Sequence, residues 1–382
     1  MAVYDLQKRS NMNDRKHSVL VYGPAYLDIV MRVGQPLVRS GHAPLDKSVD
    51  GIFCKNANQL NELEIEDPTG KRLILSGLDP LKHPTGSLKL SHSVLDFHAM
   101  SVPVIEVVDE LGGMGAGYAA VLGGRLVSAL GSNQDPPRVM IEDGLKRFGI
   151  EYSPVIIESK PTDWTLIVSS GPHGDKLPVG LRGCHSELSA QVMHQQGKWD
   201  VVLAASLKNE LLFGVLERHL ESLRVLVPAM RNCRDQRFPI RNLVGLADFI
   251  SLNEHEWQEL TPLDRAAWWE SKAILCVTRG PAGADIFWTD RSGIRQNHYQ
   301  PAFPRSVPVV DTNRAGEAFA SFLIQSLLAQ GWSKTENYIT SEMVQRAALG
   351  GSAAAGLTIQ LPSFGFPSAQ EVARVLQTGM IS

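Results

Sequence analysis

The residues best suited to chemistry lie in one stretch near the carboxyl end, VVDTNRAGEAFASFLIQSLLAQG at 309–331. Its apolar start predicts a strand that ends at Asp311, and its second half has the spacing of a helix that begins near Ala315. The unpaired N–H groups and positive dipole of a helix start attract anions. A carboxylate there, such as Glu317, could take a proton from a hydroxyl while the N–H groups stabilise a phosphoryl group in transfer. The alternative is an ordinary capped helix with Glu317 in its first turn.

Alternating strand and helix patterns supply the frame that would hold this stretch. A first buried strand is predicted at 18–23, where SVLVYG is a short apolar run ending in glycine. Further strand candidates alternate with helical patterns, at 201–205, 224–228, 248–252 and 273–277. Such alternation predicts a three-layer α/β fold, a mostly parallel central sheet with helices on both faces. Ligands of such sheets bind beyond the carboxyl ends of the strands.

Two segments interrupt this alternation and predict a small β-rich lid over the sheet edge. Residues 34–101 are rich in turn formers and short apolar pieces, and 151–183 contains a strand-like run and a loop rich in Gly and Pro. The α/β core is therefore expected on 18–33 and 102–382. Within this scheme 151–183 contributes to the lid, and 34–101 forms lid and insert. The polar start, 1–17, is expected to be a disordered tail.

Composition and charge exclude several classes of function. The chain has 382 residues, of which 43% are hydrophobic and 20% charged, as in typical globular proteins. The net charge of -3 and the lack of a basic tract argue against nucleic acid as a partner. No apolar run reaches the roughly 18 residues that span a membrane, and the four dispersed cysteines contain no CxxC pair. We therefore expect a cytoplasmic protein with reduced thiols and no membrane partner.

A glycine pattern leaves a second class of ligand open. GAGYAA at 115–120 fits the dinucleotide fingerprint G-x-G-x-x-G/A, and Asp135 lies where a ribose-binding acid is sought. Close packing of a helix beneath the substrate pocket is the competing explanation, because Asp135 follows a turn and not an evident strand end. No P-loop GxxxxGK[ST] occurs, so ATP phosphates would need another device, such as the helix start near Ala315.

The chain resembles the ribokinase-like (PfkB) carbohydrate kinases in five stretches that keep the family's order. DTNRAGEAF at 311–319 is similar to the signature Asp-Thr-x-Gly-Ala-Gly-Asp followed by Ala-Phe. GGMGAGYAAVLGGRLVSALG at 112–131 is similar to a second signature, Gly-Gly-x-Gly-Ala-Asn with an Ala-rich helix behind it. Three shorter stretches match further landmarks: GPAYLD at 23–28, NEHE at 253–256 and VTRGPAGA at 277–284. The resemblance implies the ribokinase-like fold from residue 18 onward.

The same resemblance implies ATP-dependent phosphorylation of a sugar or related hydroxyl compound, with Mg²⁺. It places Glu317 at the general-base position. The anion-hole positions that it implies are Arg314, Ala315 and Gly316. The substrate positions are Asp28, Gly113, Gly117 and Asp311. The nucleotide positions are Asn253, Thr278, Arg279, Gly280 and Gly283. Asn253 and Glu256 are expected to organise the magnesium ion through water.

Three departures from the family pattern bear on activity. Glu317 replaces an aspartate, which lengthens the carboxylate's reach by roughly 1.5 Å, and an error near 1 Å can cost about a hundredfold in rate. Arg314 replaces a glycine of the anion hole and could clasp the phosphates, fill their site or point away. Gly117 replaces an asparagine that binds sugar hydroxyls. A weakened or inactive sugar- or nucleotide-binding member of the fold is the alternative to an active kinase.

Structural alternatives exist for the nucleotide positions as well. Asn253 and Glu256 could simply open a helix, and Gly280 and Gly283 could merely make a hairpin turn.

Related kinases often pair their lids across two subunits. Exposed strand edges in a lid favour such pairing, because their backbone groups lack partners. A homodimer through the lid is therefore expected.

Overall fold

A computed structural model gives the fold of the chain. It describes residues 17–33, 52–56, 62–66, 72–76, 87–93, 101–169, 176–193, 195–336 and 338–382. The predicted tail at 1–17 lies outside these residues except for His17, and most of the predicted insert at 34–101 lies outside them too. No helix of the described residues is long and apolar enough to cross a membrane.

The strands of the described ranges are numbered in chain order. They are β1 (Val19–Tyr22), β2 (Tyr26–Val33), β3 (Ile52–Asn56), β4 (Glu62–Glu66), β5 (Arg72–Ser76), β6 (Ser87–Ser93), β7 (Ser101–Gly112), β8 (Arg125–Leu130), β9 (Tyr152–Ile156), β10 (Trp164–Ser169), β11 (Lys176–Leu181), β12 (Val201–Ala205), β13 (Leu223–Val227), β14 (Phe249–Asn253), β15 (Ile274–Thr278), β16 (Ala284–Thr289) and β17 (Arg295–Gln300).

The helices of the same ranges are numbered likewise. They are α1 (Met114–Leu122), α2 (Pro136–Arg147), α3 (Asn209–Arg218), α4 (Met230–Arg234), α5 (Arg241–Val244), α6 (Glu254–Glu259), α7 (Pro262–Glu270), α8 (Ala315–Ala329), α9 (Ser341–Thr358) and α10 (Ala369–Thr378). Short 3₁₀ turns form at Cys184–Glu187 and Gly280–Ala282.

The large sheet runs in the order β17-β16-β15-β14-β13-β12-β1-β8-β9. Neighbouring strands from β15 to β9 are parallel, and β16 and β17 form an antiparallel hairpin at one edge. Alternate residues of β1 enter two different cores. Val19 and Val21 pack with residues of α1, α8 and α9, while Leu20 and Tyr22 pack with residues of α3 and α7. The predicted three-layer α/β fold is thereby confirmed.

A second, smaller sheet closes on itself in the order β10-β11-β3-β4-β5-β6-β7-β2. Its strand β2 leaves the large sheet directly after β1, then pairs in parallel with β10 and antiparallel with β7. Both segments that interrupt the α/β alternation in the sequence therefore contribute strands to one sheet. β2 carries Asp28, so this predicted substrate residue lies on the small sheet.

Three parts of the fold differ from the sequence-based expectation. The predicted strand that ends at Asp311 does not form: residues 306–314 are loop and turn, because Pro304 and Pro308 lack the N–H groups that a strand ladder needs. Residues 102–112, which the sequence assigned to the core, belong to the long strand β7 of the small sheet. The hairpin of β16 and β17 extends the large sheet beyond its parallel strands. Strands β7 and β17 pair antiparallel with their neighbours and carry many polar residues, so neither has the continuous apolar run of a buried parallel strand.

Candidate functional site

A tight turn leads into helix α8 at the predicted anion site. Asp311 Oδ1 accepts the N–H of Asn313 at 2.9 Å, and Arg314 follows in a left-handed conformation with φ +66°. Because α8 begins at Ala315, the N–H groups of its first turn have no acceptor within the helix. A Cβ added to Gly316 would meet no atom within 4 Å, so open space lies beside the turn. The turn thus provides a cradle of the kind that binds phosphoryl groups.

The side chain of Arg314 is held by two carboxylates. Its Nη1 donates to Glu110 Oε1 at 2.8 Å, and its Nη2 donates to Asp311 Oδ2 at 3.2 Å. All three side chains are buried, with 9% of Arg314, 3% of Glu110 and 8% of Asp311 exposed. The guanidinium is therefore engaged in ion pairs and does not stand free beside the helix start. Whether Arg314 clasps the phosphates, fills their site or points away from them stays a prediction.

Glu110 links three parts of the chain, and sequence reasoning did not find it. Its Oε1 binds Arg314, while its Oε2 accepts the N–H of Phe364 at 2.7 Å. The phenyl ring of Phe364 lies 6.0 Å from the Arg314 guanidinium. Strand β7 of the small sheet is thereby tied to the start of α8 and to the loop before α10. The only sequence signal was a charged residue two positions before the glycine turn at Gly112.

Asp28 lies in β2 opposite Glu110 of β7. Its carboxylate rests against Gly112, where an added Cβ would lie 1.9 Å from Asp28 Oδ2, so only glycine leaves room for it. Burial, and next the negative charge of Glu110, raise the pKa of Asp28 from 3.8 to about 7, against the opposing charges of Arg182 and Arg314. A carboxyl group with such a pKa changes its protonation near neutral pH.

Asp28 should make the fold less stable as the pH rises from about 4 to about 7. Its pKa in the folded state lies above the ordinary value of 3.8, so the folded protein holds an extra proton in this window. A rising pH therefore favours the unfolded chain, until the loss is complete above about pH 7. The melting temperature of the wild type should fall relative to Asp28→Asn between about pH 5 and about pH 8. A constant difference between the two proteins would contradict the raised pKa.

Glu317 and Gly117 meet where helices α8 and α1 face each other. A Cβ built on Gly117 would lie 3.5 Å from Cγ of Glu317 and 3.4 Å from Cζ of Phe366. A side chain larger than a methyl group at position 117 would therefore enter the space of Glu317. Gly117 and Glu317, which both depart from the family pattern, are therefore adjacent in space. The absence of a side chain at position 117 leaves room for the longer acid at position 317.

The glycines before and within α1 allow two backbones to approach closely. Gly113 has φ +91°, and a Cβ there would lie 2.4 Å from the carbonyl oxygen of Pro24. A Cβ on Gly115 would lie 2.5 Å from the carbonyl carbon of Gly23. Asp135 accepts the N–H of Thr162 with its carboxylate. Packing against the chain between β1 and β2 accounts for these glycines, which favours the packing explanation over the dinucleotide fingerprint.

A family model for the pfkB family of carbohydrate kinases matches residues 89–370. The chain belongs to this family. Among solved structures, Giardia lamblia ribokinase is 15% identical, with a TM-score of 0.65 and coverage of 95% of this chain and 99% of that one. Arabidopsis thaliana ribokinase complexed with ribose and ATP is 16% identical, with a TM-score of 0.60 and coverage of 94% and 99%. Burkholderia thailandensis nucleoside kinase in complex with inosine is 15% identical, with a TM-score of 0.61 and coverage of 95% and 98%.

No curated protein sequence matches the chain. At these identities the solved structures show the fold, which is that of the ribokinase-like sugar and nucleoside kinases. The predicted family and the predicted fold class are thereby confirmed for this PfkB-family member. The roles of its individual site residues stay predictions.

Asn253 and Glu256, the pair expected to organise magnesium, form a capping box at the start of α6. Asn253 Oδ1 accepts the N–H of Glu256 at 2.9 Å, and Glu256 Oε2 accepts the N–H of Asn253 at 2.7 Å. His255, between them, is exposed. The pair therefore caps the start of a helix, as the structural alternative predicts. The two capping hydrogen bonds hold the side-chain oxygen atoms of Asn253 and Glu256 in place at the carboxyl end of β14.

The other nucleotide positions lie at the turn from β15 into β16. Gly280 and Gly283 have φ +54° and +89°, and a Cβ on Gly283 would lie 2.1 Å from the carbonyl oxygen of Gln300. Thr278 ends β15, and Arg279 forms an ion pair with Asp285 at 2.5 Å. These residues make the hairpin turn that the alternative predicts. Their contribution to nucleotide binding in this PfkB-family chain stays a prediction.

Polar residues around Tyr26 are a further group that sequence reasoning did not find. The Arg182 guanidinium lies 4.2 Å from the ring centroid of Tyr26, and Arg231 donates to the carbonyl and hydroxyl oxygens of Ser206. Burial raises the pKa of Tyr26, and the charges of both arginines act against this shift. One available signal was that Tyr26 precedes Asp28 by two positions and shares its face of β2.

Among the described residues, Ser206 and Arg314 are the non-glycine positions with positive φ. Such strain concentrates at functional sites.

Proposed function

We propose that the protein transfers the terminal phosphoryl group of ATP to a hydroxyl of a sugar or sugar-like small molecule, with Mg²⁺. The observation that carries this proposal is the start of α8, where Glu317 lies in the first turn beside the open space at Gly316. Family membership supports a kinase, and the ribokinase structure with ATP supports the nucleotide. Substrates of this class are small and hydroxyl-rich, in line with the ribose and inosine named for two similar structures.

In the proposed reaction, Glu317 accepts the proton of the acceptor hydroxyl as its oxygen attacks the terminal phosphorus atom. One O–P bond forms to the acceptor, and the bond from that phosphorus atom to ADP breaks. The N–H groups of Ala315 and Gly316 stabilise the charge on the transferred group. Asp28 orients the substrate hydroxyls from β2, with Gly113, Gly117 and Asp311 shaping the same site.

The donor set near α6 suits a magnesium ion held through water. Mg²⁺ prefers oxygen ligands and keeps several of its waters, and the capping box fixes the oxygen atoms of Asn253 and Glu256. A bound magnesium ion would supply charge neutralisation for the phosphates. In this proposal, Thr278, Arg279, Gly280 and Gly283 line the nucleotide from the neighbouring turn.

We also propose that the small closed sheet acts as a lid on the α/β core and excludes water from the transfer. This division assigns 1–17 to a tail, 34–101 to lid and insert with a contribution from 151–183, and 18–33 and 102–382, apart from strands β2 and β7, to the core. Residues of β7 belong to the lid sheet itself. A homodimer through the lid and a cytoplasmic location complete the proposal.

A catalytically weakened binder of the same fold is the second candidate. The observation that favours it concerns Arg314. This residue stands at a glycine position of the family signature, and its guanidinium forms ion pairs with Glu110 and Asp311. ADP release with Mg²⁺, ATP and a panel of sugars, nucleosides and sugar acids separates the two candidates. Acceptor-dependent ADP release supports the kinase. Saturable binding of a panel compound without ADP release at any enzyme concentration supports the binder.

Gly117 and Glu317 should behave as a coupled pair in this assay. Gly117→Asn alone should lower kcat/KM about tenfold or more, because its side chain displaces the carboxylate of Glu317. The same change should cost less in Glu317→Asp, whose shorter side chain leaves the room that asparagine needs. Gly245→Asn is the control, because a Cβ there meets no atom within 4 Å. Additive losses in the double-mutant cycle would contradict the coupling.

A further inference from the structure

A cluster of three metal-ligating side chains lies outside the proposed phosphoryl-transfer site. Asp163 directly precedes β10, and Cys184 and His185 follow β11 in a 3₁₀ turn. All three residues are buried, with exposed fractions of 0% for Asp163, 0% for Cys184 and 9% for His185. A ligand atom from each lies within 4.8 Å of the others. The cluster thus sits where both ends of the β10–β11 pair return to the large sheet.

The spacing of the three donor atoms matches that of ligands around one metal ion. His185 Nδ1 lies 3.2 Å from Asp163 Oδ1, and Cys184 Sγ lies 3.3 Å from the same oxygen. Cys184 Sγ and His185 Nδ1 are 3.7 Å apart. Ligands at 2.0–2.3 Å from a tetrahedral zinc ion are separated by roughly 3.3–3.6 Å. An ion could therefore bind with small adjustments of the side chains.

One carboxylate oxygen of Asp163 has no hydrogen-bond partner among the described residues. Asp163 Oδ1 accepts the N–H groups of Gly183 at 3.0 Å and His185 at 3.2 Å. The oxygen without a partner there is Oδ2, which is buried. A buried carboxylate oxygen without a partner is costly and calls for an explanation. Coordination of a cation by the Asp163 carboxylate would satisfy this oxygen.

The imidazole of His185 is oriented from its far side. Its Nε2 lies 3.1 Å from Ser128 Oγ in β8, and that oxygen also accepts the N–H of Ala25 at 2.9 Å. Histidines that bind metals usually donate their second ring N–H to such a partner, which fixes the ring and its tautomer. With a metal on Nδ1, the proton would reside on Nε2 and point at Ser128.

We propose that Asp163, Cys184 and His185 bind one Zn²⁺ ion. Thiolate, imidazole and carboxylate together suit zinc better than the hard cations, which prefer all-oxygen sites. Binding replaces the thiol proton of Cys184, which passes to solvent as the sulfur–zinc bond forms. Burial raises the pKa of the free thiol, so without the metal Cys184 stays protonated and the cluster is held by hydrogen bonds.

A zinc ion there would join the two ends of the β10–β11 segment to each other and, through Ser128, to β8. The His185 ring also meets the edge of Tyr26 at 5.4 Å between centroids, two positions before Asp28. The ion would therefore stabilise the base of the small sheet. None of its ligands takes part in the proposed phosphoryl transfer, so the two proposals stand or fall separately.

Cobalt provides the test, because Co²⁺ replaces zinc and gives a thiolate-to-metal absorption band. Chelator-treated full-length protein should bind one Co²⁺ per chain with this band, and added Zn²⁺ should abolish it. Cys184→Ala should lose the band, while the matched change Cys276→Ala should keep it, since Cys276 is a buried cysteine of β15. Zn²⁺ should also raise the melting temperature of the wild type and leave that of Cys184→Ala unchanged.

A measurement on the wild type alone can overturn the proposal, so the test does not depend on whether the variants fold. Absence of a thiolate band in the folded wild type at a molar excess of Co²⁺ would show that the cluster is only a hydrogen-bonded network. A band that persists in Cys184→Ala would place the metal elsewhere.

Discussion

Replacing Glu317 with glutamine should lower kcat by about 10²–10⁴-fold, the range that loss of a general base produces. Glutamine keeps the shape of the side chain and its place beside Gly117, but it cannot accept the proton of the acceptor hydroxyl. The N–H groups of Ala315 and Gly316 belong to the backbone and are unchanged. Nucleotide affinity should therefore stay within about threefold of the wild-type value, so the loss appears in kcat.

Glu342→Gln is a suitable control for this prediction. Glu342 lies in the first turn of another helix, α9, and its side chain is 71% exposed in an ion pair with Arg346. Exposed pairs of this kind contribute little, so activity and stability should stay near wild type. Equal kcat for Glu317→Gln and the wild type would remove Glu317 from the chemistry.

The second large effect concerns stability. Arg314→Met should lower the free energy of unfolding by about 3–5 kcal/mol, because it leaves the buried carboxylates of Glu110 and Asp311 without their cation. Arg314→Gly should cost about 1 kcal/mol less than Arg314→Met, since glycine adopts the left-handed backbone at this position without strain. Urea unfolding monitored by fluorescence measures both values.

An exposed pair gives the matched comparison for Arg314. Arg346→Met removes a guanidinium that is 56% exposed and pairs with Glu342, so it should cost less than about 1 kcal/mol. Adding Glu110→Gln to Arg314→Met should recover part of the loss, because it removes one of the uncompensated charges. Losses of equal size for Arg314→Met and Arg346→Met would refute the buried ion-pair network.

Much of the frame could be predicted because its signals are local. The buried parallel strands appear as apolar runs, such as 201–205, and α8 appears as a periodic pattern after a capping turn. The glycines before and within α1 likewise form a local pattern that predicts close packing of this helix. These features depend on the properties of short segments and not on which distant segments they meet.

The partners of the site residues could not be predicted in the same way. Glu110 and Arg314 are 204 positions apart, and nothing in either segment indicates that they pair. The contact between Gly117 and Glu317 likewise depends on how α1 and α8 are placed. The raised pKa of Asp28 arises from burial and from Glu110 across two strands, so it needs the register of β2 with β7. Long-range pairing decides these properties.

The most direct test of the central claim is phosphorus NMR of wild-type protein with ATP, Mg²⁺ and the acceptor that releases most ADP. If the start of α8 transfers phosphate to a hydroxyl, a phosphomonoester signal should grow in step with ADP, and Glu317→Gln should slow both equally. Formation of inorganic phosphate and ADP without a phosphomonoester, or an unchanged ATP spectrum with every acceptor, would contradict the account.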